Sequence, residues 1–163
     1  MNQYFFVSIL STIILFSSAQ KDFSARSNIT LGGIFPYDDV TSQYAFQYAV
    51  ESYSSLFESA FNITLNSMIE TTGNRSTAGM GALDAVSRLL DNQGVVGVVG
   101  FDTPLDIVVT ANTLDEATTP YISYRVELTD YSYEEEYPYF LRVIADGNAL
   151  SVATAKLFEY YNW

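Results

Sequence analysis

The 163-residue chain contains neither histidine nor cysteine. Without imidazole or thiolate, this segment cannot build Ser-His-Asp or Cys-His nucleophiles or a histidine zinc site. The groups left for chemistry are carboxylates, hydroxyls and a few cations. Two short stretches concentrate them: Phe101-Asp102-Thr103-Pro104 and Ser123-Tyr124-Arg125-Val126-Glu127. Their chemistry is recognition without a covalent step. A helix starting at Thr103-Pro104 would aim backbone N–H groups and the positive end of its dipole at an anion such as a ligand carboxylate, although Asp102 opposes one. Thr103 or Asp102 could instead simply cap that helix. Arg125 could hold an anion through two parallel hydrogen bonds and Glu127 could take an amine; equally, the two could pair with each other or lie in solvent. Tyr124 could stack on a ligand or close the core.

Other candidates carry less chemistry. Tyr37, Asp38 and Asp39 follow an apolar run, where turn formation is the ordinary work of aspartate. The run Glu134-Glu135-Glu136 is a solvated stretch rather than a calcium site. Gly79-Met80-Gly81 has no third glycine at Asp84 to complete a dinucleotide-binding pattern, and starts a helix instead. Carboxylate pairs abound in so acidic a chain, and no spacing singles one out for acid/base work.

The elements that must position these residues alternate. Apolar runs at Asn28–Phe35, Ile63–Ile69, Val95–Val99, Tyr121–Tyr124 and Tyr139–Ile144 read as strands. Between them, three-and-four spacing of apolar residues predicts helices. The first is capped by Thr41 or Ser42, carries Phe46, Ala49, Val50, Tyr53, Leu56 and Phe57, and runs to about Ser59. The second spans about Ala78 to Asp91, with Leu83, Val86, Leu89 and Leu90 inward. The third starts at Thr103-Pro104, with Ile107, Val108, Ala111 and Leu114 inward, and is stopped before Pro120. The last is capped by Asp146 and bears Leu150, Ala153, Leu157, Phe158 and Tyr161. Strands alternating with helices predict an α/β fold, a Rossmann-like doubly wound parallel sheet. In such sheets ligands sit beyond the carboxyl ends of the strands, here the loops Pro36–Val40, Phe101–Asp106 and Tyr124–Asp130.

With 48% hydrophobic and 15% aromatic residues, the chain can bury the core of one domain. Its formal net charge of -12 makes nucleic acid and anionic membrane surfaces poor partners. Residues 1–19 hold an apolar run from Tyr4 to Phe16, no charged side chain and a small-residue end, the pattern of a secretory signal peptide cut before Gln20. Residues 20–27 are a polar leader. Nothing later is long and apolar enough to span a bilayer, so any anchor is expected beyond Trp163. Sequons at Asn28, Asn62 and Asn74 agree with a secretory route, Asn74 being the best placed for glycosylation. Without disulfides, the core must hold the domain together.

The ordered set VVGVVG at Val95–Gly100, TPYISY at Thr119–Tyr124, LTD at Leu128–Asp130, Tyr137–Val143 and Asn162-Trp163, preceded by LGGIFP at Leu31–Pro36, resembles the extracellular ligand-binding region of a receptor family. That family shares the type I periplasmic-binding-protein fold and includes class C G-protein-coupled receptors, which look closest, receptor guanylate cyclases and ionotropic glutamate receptor amino-terminal domains. The resemblance implies that residues 28–163 are lobe one of a two-lobe clamshell, with the second lobe, the hinge and any membrane part absent. It implies a small ligand, amino-acid-like or another metabolite, no cofactor, and pairing of two copies or of relatives through lobe-one helices; the stretches around Tyr44–Phe57 and Ala149–Tyr161 have wide apolar faces. The implied half-site is Phe101, Asp102, Thr103, Ser123, Tyr124, Arg125 and Glu127. Amino-acid receptors carry a serine-rich segment where this chain has Thr103 as its only hydroxyl, and their loop after the fourth strand is longer. The position of the site therefore carries over, but amino-acid specificity does not. Two other expectations remain open: a soluble secreted binding protein of the same fold, and a secreted enzyme whose catalytic residues lie downstream.

Overall fold

A computed structural model describes residues 28–73, 79–92, 94–127, 136–145 and 147–162. The expected signal peptide (residues 1–19), the leader (20–27), Asn74, Leu128–Asp130, Glu134, Glu135, Asp146 and Trp163 lie outside the described residues. The strands are β1 (Asn28–Phe35), β2 (Thr64–Thr71), β3 (Val95–Gly100), β4 (Tyr121–Ser123) and β5 (Phe140–Arg142). The helices are α1 (Val40–Phe61), α2 (Met80–Asp91), α3 (Pro104–Glu116) and α4 (Gly147–Tyr161). The strands form one sheet in the order β2-β1-β3-β4-β5, and each neighbouring pair is parallel. This is the α/β doubly wound architecture that alternation predicts.

Each face of the sheet has its own core, because side chains alternate along a strand. Ile29, Leu31 and Phe35 of β1 join Phe46, Val50 and Phe57 of α1 on one face. Ile34 faces the other side, with Ala85, Val86 and Leu89 of α2 and Ile107, Ala111 and Leu114 of α3. In β3 the pairing with β1 slips from Thr30↔Val95 to Leu31↔Gly97. The extra residue, Val96, belongs to the α1 face, while Val95 and Val98 belong to the opposite core. A bulge thus resets the alternation and lets a nearly all-valine strand serve both cores.

The helix ends follow local chemistry. Asp39 caps α1, its carboxylate accepting from the Ser42 backbone N–H at 3.1 Å and the Ser42 hydroxyl at 2.8 Å. The expected caps, Thr41 and Ser42, are instead inside the helix, because the aspartate two residues before Thr41 reaches the free amides first. Asn62 ends α1 in the left-handed conformation, with φ 55°. Gly81 on α2 packs so close to the Thr72 carbonyl that a Cβ would collide with it, which explains the small residue at this helix start.

Several inward assignments are corrected. Leu83, Leu56 and Val108 are exposed. The α2 seam runs through Ala82, Ala85, Val86 and Leu89, and the α3 seam through Ile107, Thr110, Ala111 and Leu114. Each step along a helix turns about 100°, so Leu83 and Val108 rotate off seams that small residues hold. The larger correction is α4, which buries none of its side chains. Leu150, Leu157, Phe158 and Tyr161 stand exposed. Periodicity creates an apolar stripe, but only a second element can cover it. No helix among the described residues is long and apolar enough to cross a membrane.

Candidate functional site

The strand order reverses between β1 and β3: β1 leads to β2 on one side, and the chain then crosses back to β3 on the other. Loops leaving the carboxyl ends of β1 and β3 part there, which opens a crevice at the rim. Three loops meet along it: residues 36–39 after β1, 101–103 after β3 and 124–127 after β4.

The loop after β3 is shaped by backbone. Gly100 passes so near the Ile34 carbonyl that a Cβ there would clash, and Phe101 then takes a left-handed φ of 67°. That conformation is uncommon for a residue with a side chain and turns the chain sharply. The Phe101 ring drops into the core, edge-on to Tyr121 with ring centres 6.0 Å apart. Asp102 and Thr103 are left at the rim.

Thr103 caps α3 in a reciprocal arrangement: its hydroxyl accepts from the Asp106 N–H at 3.3 Å, and the Asp106 carboxylate accepts from the Thr103 N–H at 3.1 Å. Pro104 follows without an N–H to offer. The other Asp106 oxygen accepts from the Gly79 N–H at 2.9 Å, so one carboxylate, 1% exposed, fixes the starts of both α2 and α3. The sequence reading did not single out Asp106. The Thr-x-x-Asp spacing from Thr103 to Asp106 is a capping-box signal that could have found its local half; the contact with Gly79 comes from tertiary structure.

The loop after β4 hangs on Ser123, which is fully buried. Its hydroxyl accepts from the Val126 N–H at 3.0 Å and the Arg125 N–H at 3.4 Å, and donates to the Phe101 carbonyl at 3.4 Å. Ser123 therefore ties one rim loop to the other. Phe101 and Ser123, both expected at the half-site, support the rim from beneath.

Above them, Arg125 Nη1 donates to Asp102 Oδ1 at 2.5 Å. The Asp102 side chain is 5% exposed and that of Arg125 is 55% exposed, so the carboxylate is the fixed member and the guanidinium the outward one. The bond to Asp102 chiefly holds Arg125 protonated. The partner of Arg125 is thus Asp102 rather than Glu127, which is exposed at the end of the loop. With its guanidinium this open to water, the pair orients Arg125 more than it stabilises the fold.

Tyr124 lies between the loops. Its ring leans on Phe35 with centres 6.1 Å apart, yet its hydroxyl oxygen is buried with no hydrogen-bond partner among the described residues. Burial pushes its phenol up to about 12; Ser42, already bonded to Asp39, relieves this in part, Asp102 and Asp39 push it further, and Arg125 opposes them. Asp39 and Asp102, from loops on either side of the crevice, therefore act on the same hydroxyl. The rim can present one oriented guanidinium, two carboxylates and a phenol to a small polar molecule.

A family model described as "Receptor family ligand binding region" matches residues 41–163. No curated protein matches the chain. Among solved structures, an ABC transporter substrate-binding protein from Desulfitobacterium hafniense is similar with a TM-score of 0.68 at 15% identity. The match covers 82% of this chain and 39% of that protein, so this chain spans well under half of its length.

Proposed function

Because the chain belongs to the receptor family ligand binding region, we propose that residues 28–163 are lobe one of an extracellular clamshell that takes a small molecule between two lobes. The observation that carries this reading is the Arg125–Asp102 bond, which joins the loops after β3 and β4 at the crevice rim. Ligand would enter beside Tyr124, meet the outward guanidinium of Arg125, and favour a closed state in which a second lobe covers the rim. Closure is a population shift, driven only by the ligand's better contacts in the closed form. Family and fold are those of ligand binders rather than of enzymes.

In this reading residues 1–19 direct secretion, and Asn28 and Asn62, both exposed, accept glycans together with Asn74. Two copies pair through lobe-one helices, whose exposed apolar residues include Tyr44 and Tyr48 on α1 and Leu157 and Phe158 on α4. The transducer is a class C G-protein-coupled receptor-like or guanylate cyclase-like membrane part. The likeness to a substrate-binding protein favours a second reading, a soluble binder of the same fold. The reading frame past Trp163 separates them: seven apolar spans, one span with a cyclase, or a stop after a second lobe.

The site is tested by thermal-shift ligand screening on the two-lobe protein, followed by titration of Arg125→Ala and Asp102→Ala. Both variants should weaken the hit. Unchanged affinity in both would place the site elsewhere.

A further inference from the structure

The rim has a charge preference that the fold does not impose, and it begins with what α3 lacks. A helix start normally offers free N–H groups to an anion. Here the Thr103 N–H is bonded to Asp106, the Asp106 N–H to Thr103, and Pro104 has none. The buried Asp106 carboxylate adds negative charge at the same place. A ligand carboxylate arriving at this first turn finds the Thr103 and Asp106 donors engaged, none at Pro104, and a like charge beneath them.

The other loops point the same way. Asp38 and Asp39 follow β1, Asp102 follows β3 and Glu127 follows β4, with Arg125 as the cation among them. Asp102 engages that cation at 2.5 Å, which offsets most of its pull on an anion. Tyr124 stands between the Arg125–Asp102 pair and the Ser42 hydroxyl that Asp39 holds, and both carboxylates act on its phenol. Its buried oxygen makes no close hydrogen bond among the described residues, and with the Ser42 hydroxyl nearby it still has a lone pair for an N–H donor.

We propose that this lobe selects ligands that turn a protonated amine toward the corner formed by Asp39, Tyr124 and Asp102 and carry no carboxylate to the start of α3. The proposal rests on the reading of the rim as the ligand half-site. In such a complex Tyr124 accepts a hydrogen bond from the ammonium, the carboxylates supply its counter-charge, and Arg125 is left to hold a neutral ligand oxygen.

The test uses the full-length protein and matched probes: tyramine, histamine and agmatine, their parent amino acids tyrosine, histidine and arginine, and the corresponding deaminated acids. At least one amine should stabilise the protein in thermal shift. Its parent amino acid should bind roughly tenfold more weakly or worse, with no binding of the acid. Asp102→Asn, which removes the counter-charge and frees Arg125 to repel a cation, should weaken the amine about tenfold or more. Tyr124→Phe keeps the ring on Phe35, guards against a folding artefact at Asp102, and should weaken the amine about threefold or more. Tighter binding by an amino acid or acid overturns the proposal; if Arg125→Ala then abolishes that binding, the half-site stands and only its charge class is wrong. An amine that binds with the same affinity to Asp102→Asn and Tyr124→Phe overturns both the proposal and the half-site. Absence of binding by every amine overturns the proposal, leaving the half-site to the Arg125→Ala and Asp102→Ala titrations with whichever ligand the wider screen yields.

Discussion

Tyr121 opens β4 and Tyr124 follows its end, so one three-residue strand carries a tyrosine to each edge of the sheet. At the amino edge the Tyr121 hydroxyl donates to Asp115 Oδ2 at 3.2 Å, and the other oxygen of Asp115 is buried with no close hydrogen bond among the described residues. Burial pushes the Asp115 carboxyl up, with the bonds from Tyr121 and Tyr139 opposing it. At the carboxyl edge Tyr124 lies beside a carboxylate that Arg125 engages, and its own buried oxygen makes no close hydrogen bond among the described residues. The first edge joins a tyrosine to an acid and closes the packing between α3 and β4. The second keeps a cation, two acids and an unsatisfied hydroxyl where loops diverge. Similar residue types thus close the packing at one edge and line the proposed ligand rim at the other, and the parallel sheet decides which lies where.

The comparison can be broken hardest from beneath the rim. Asp106→Ala removes the acceptor for two backbone amides, Gly79 and Thr103, and should cost about 2–4 kcal/mol, measured by chemical denaturation. Loss of well under this would mean that α2 and α3 are not fastened there. Asp102→Ala should lower ligand affinity roughly tenfold by titration calorimetry, whereas Asp115→Asn at the opposite edge should leave affinity alone. Equal effects from both would erase the distinction between the edges.

Tyr121→Phe should destabilise by about 1 kcal/mol, since it deletes the hydroxyl bonded to Asp115 and keeps the ring against Phe101. Tyr124 sharpens the contrast at high pH. Below about pH 10 its phenol is neutral in folded and unfolded chains alike. Between there and about 12 the unfolded chain ionises first and stability falls. Tyr124→Phe should remove that part of the alkaline loss, read as the pH dependence of the melting temperature. The smallest effect belongs to Asp115→Asn. Because the folded carboxyl is raised, its penalty is absent below the unfolded value and grows as pH rises through the folded one. The variant should match the wild type in acid and exceed it at neutral pH by about 0.5 kcal/mol or less, the group being partly screened by solvent.

How far the sequence was legible depends on whether a signal was local. Thr103-Pro104 marked the start of α3 and Asn28–Phe35 the bounds of β1, because caps, proline and β-rich runs act on their own neighbours. Asp39 suits a turn by residue type yet caps α1, a local signal outranked in the sequence by two hydroxyls nearby. Leu83 and Val108 were read inward and face out, because the seams run through alanines and a threonine that hydropathy undervalues. The loops Phe101–Asp106 and Tyr124–Asp130 are each expected from strand ends, and their described parts meet at the rim. That Ser123 joins them, and that Arg125 chooses Asp102, was not written in either segment.

By itself the sequence determined the alternation of strands and helices, the absence of histidine and cysteine chemistry, and which loops leave the carboxyl ends of the strands. These follow from spacing and side-chain type, which do not need distant partners. Only the tertiary structure decided the order β2-β1-β3-β4-β5, the sharing of Asp106 between two helices, the meeting of Asp39, Asp102, Arg125 and Tyr124, and the uncovered face of α4. Each of those depends on groups far apart in the chain, and burial, charge pairing and hydrogen bonding act through space rather than along it.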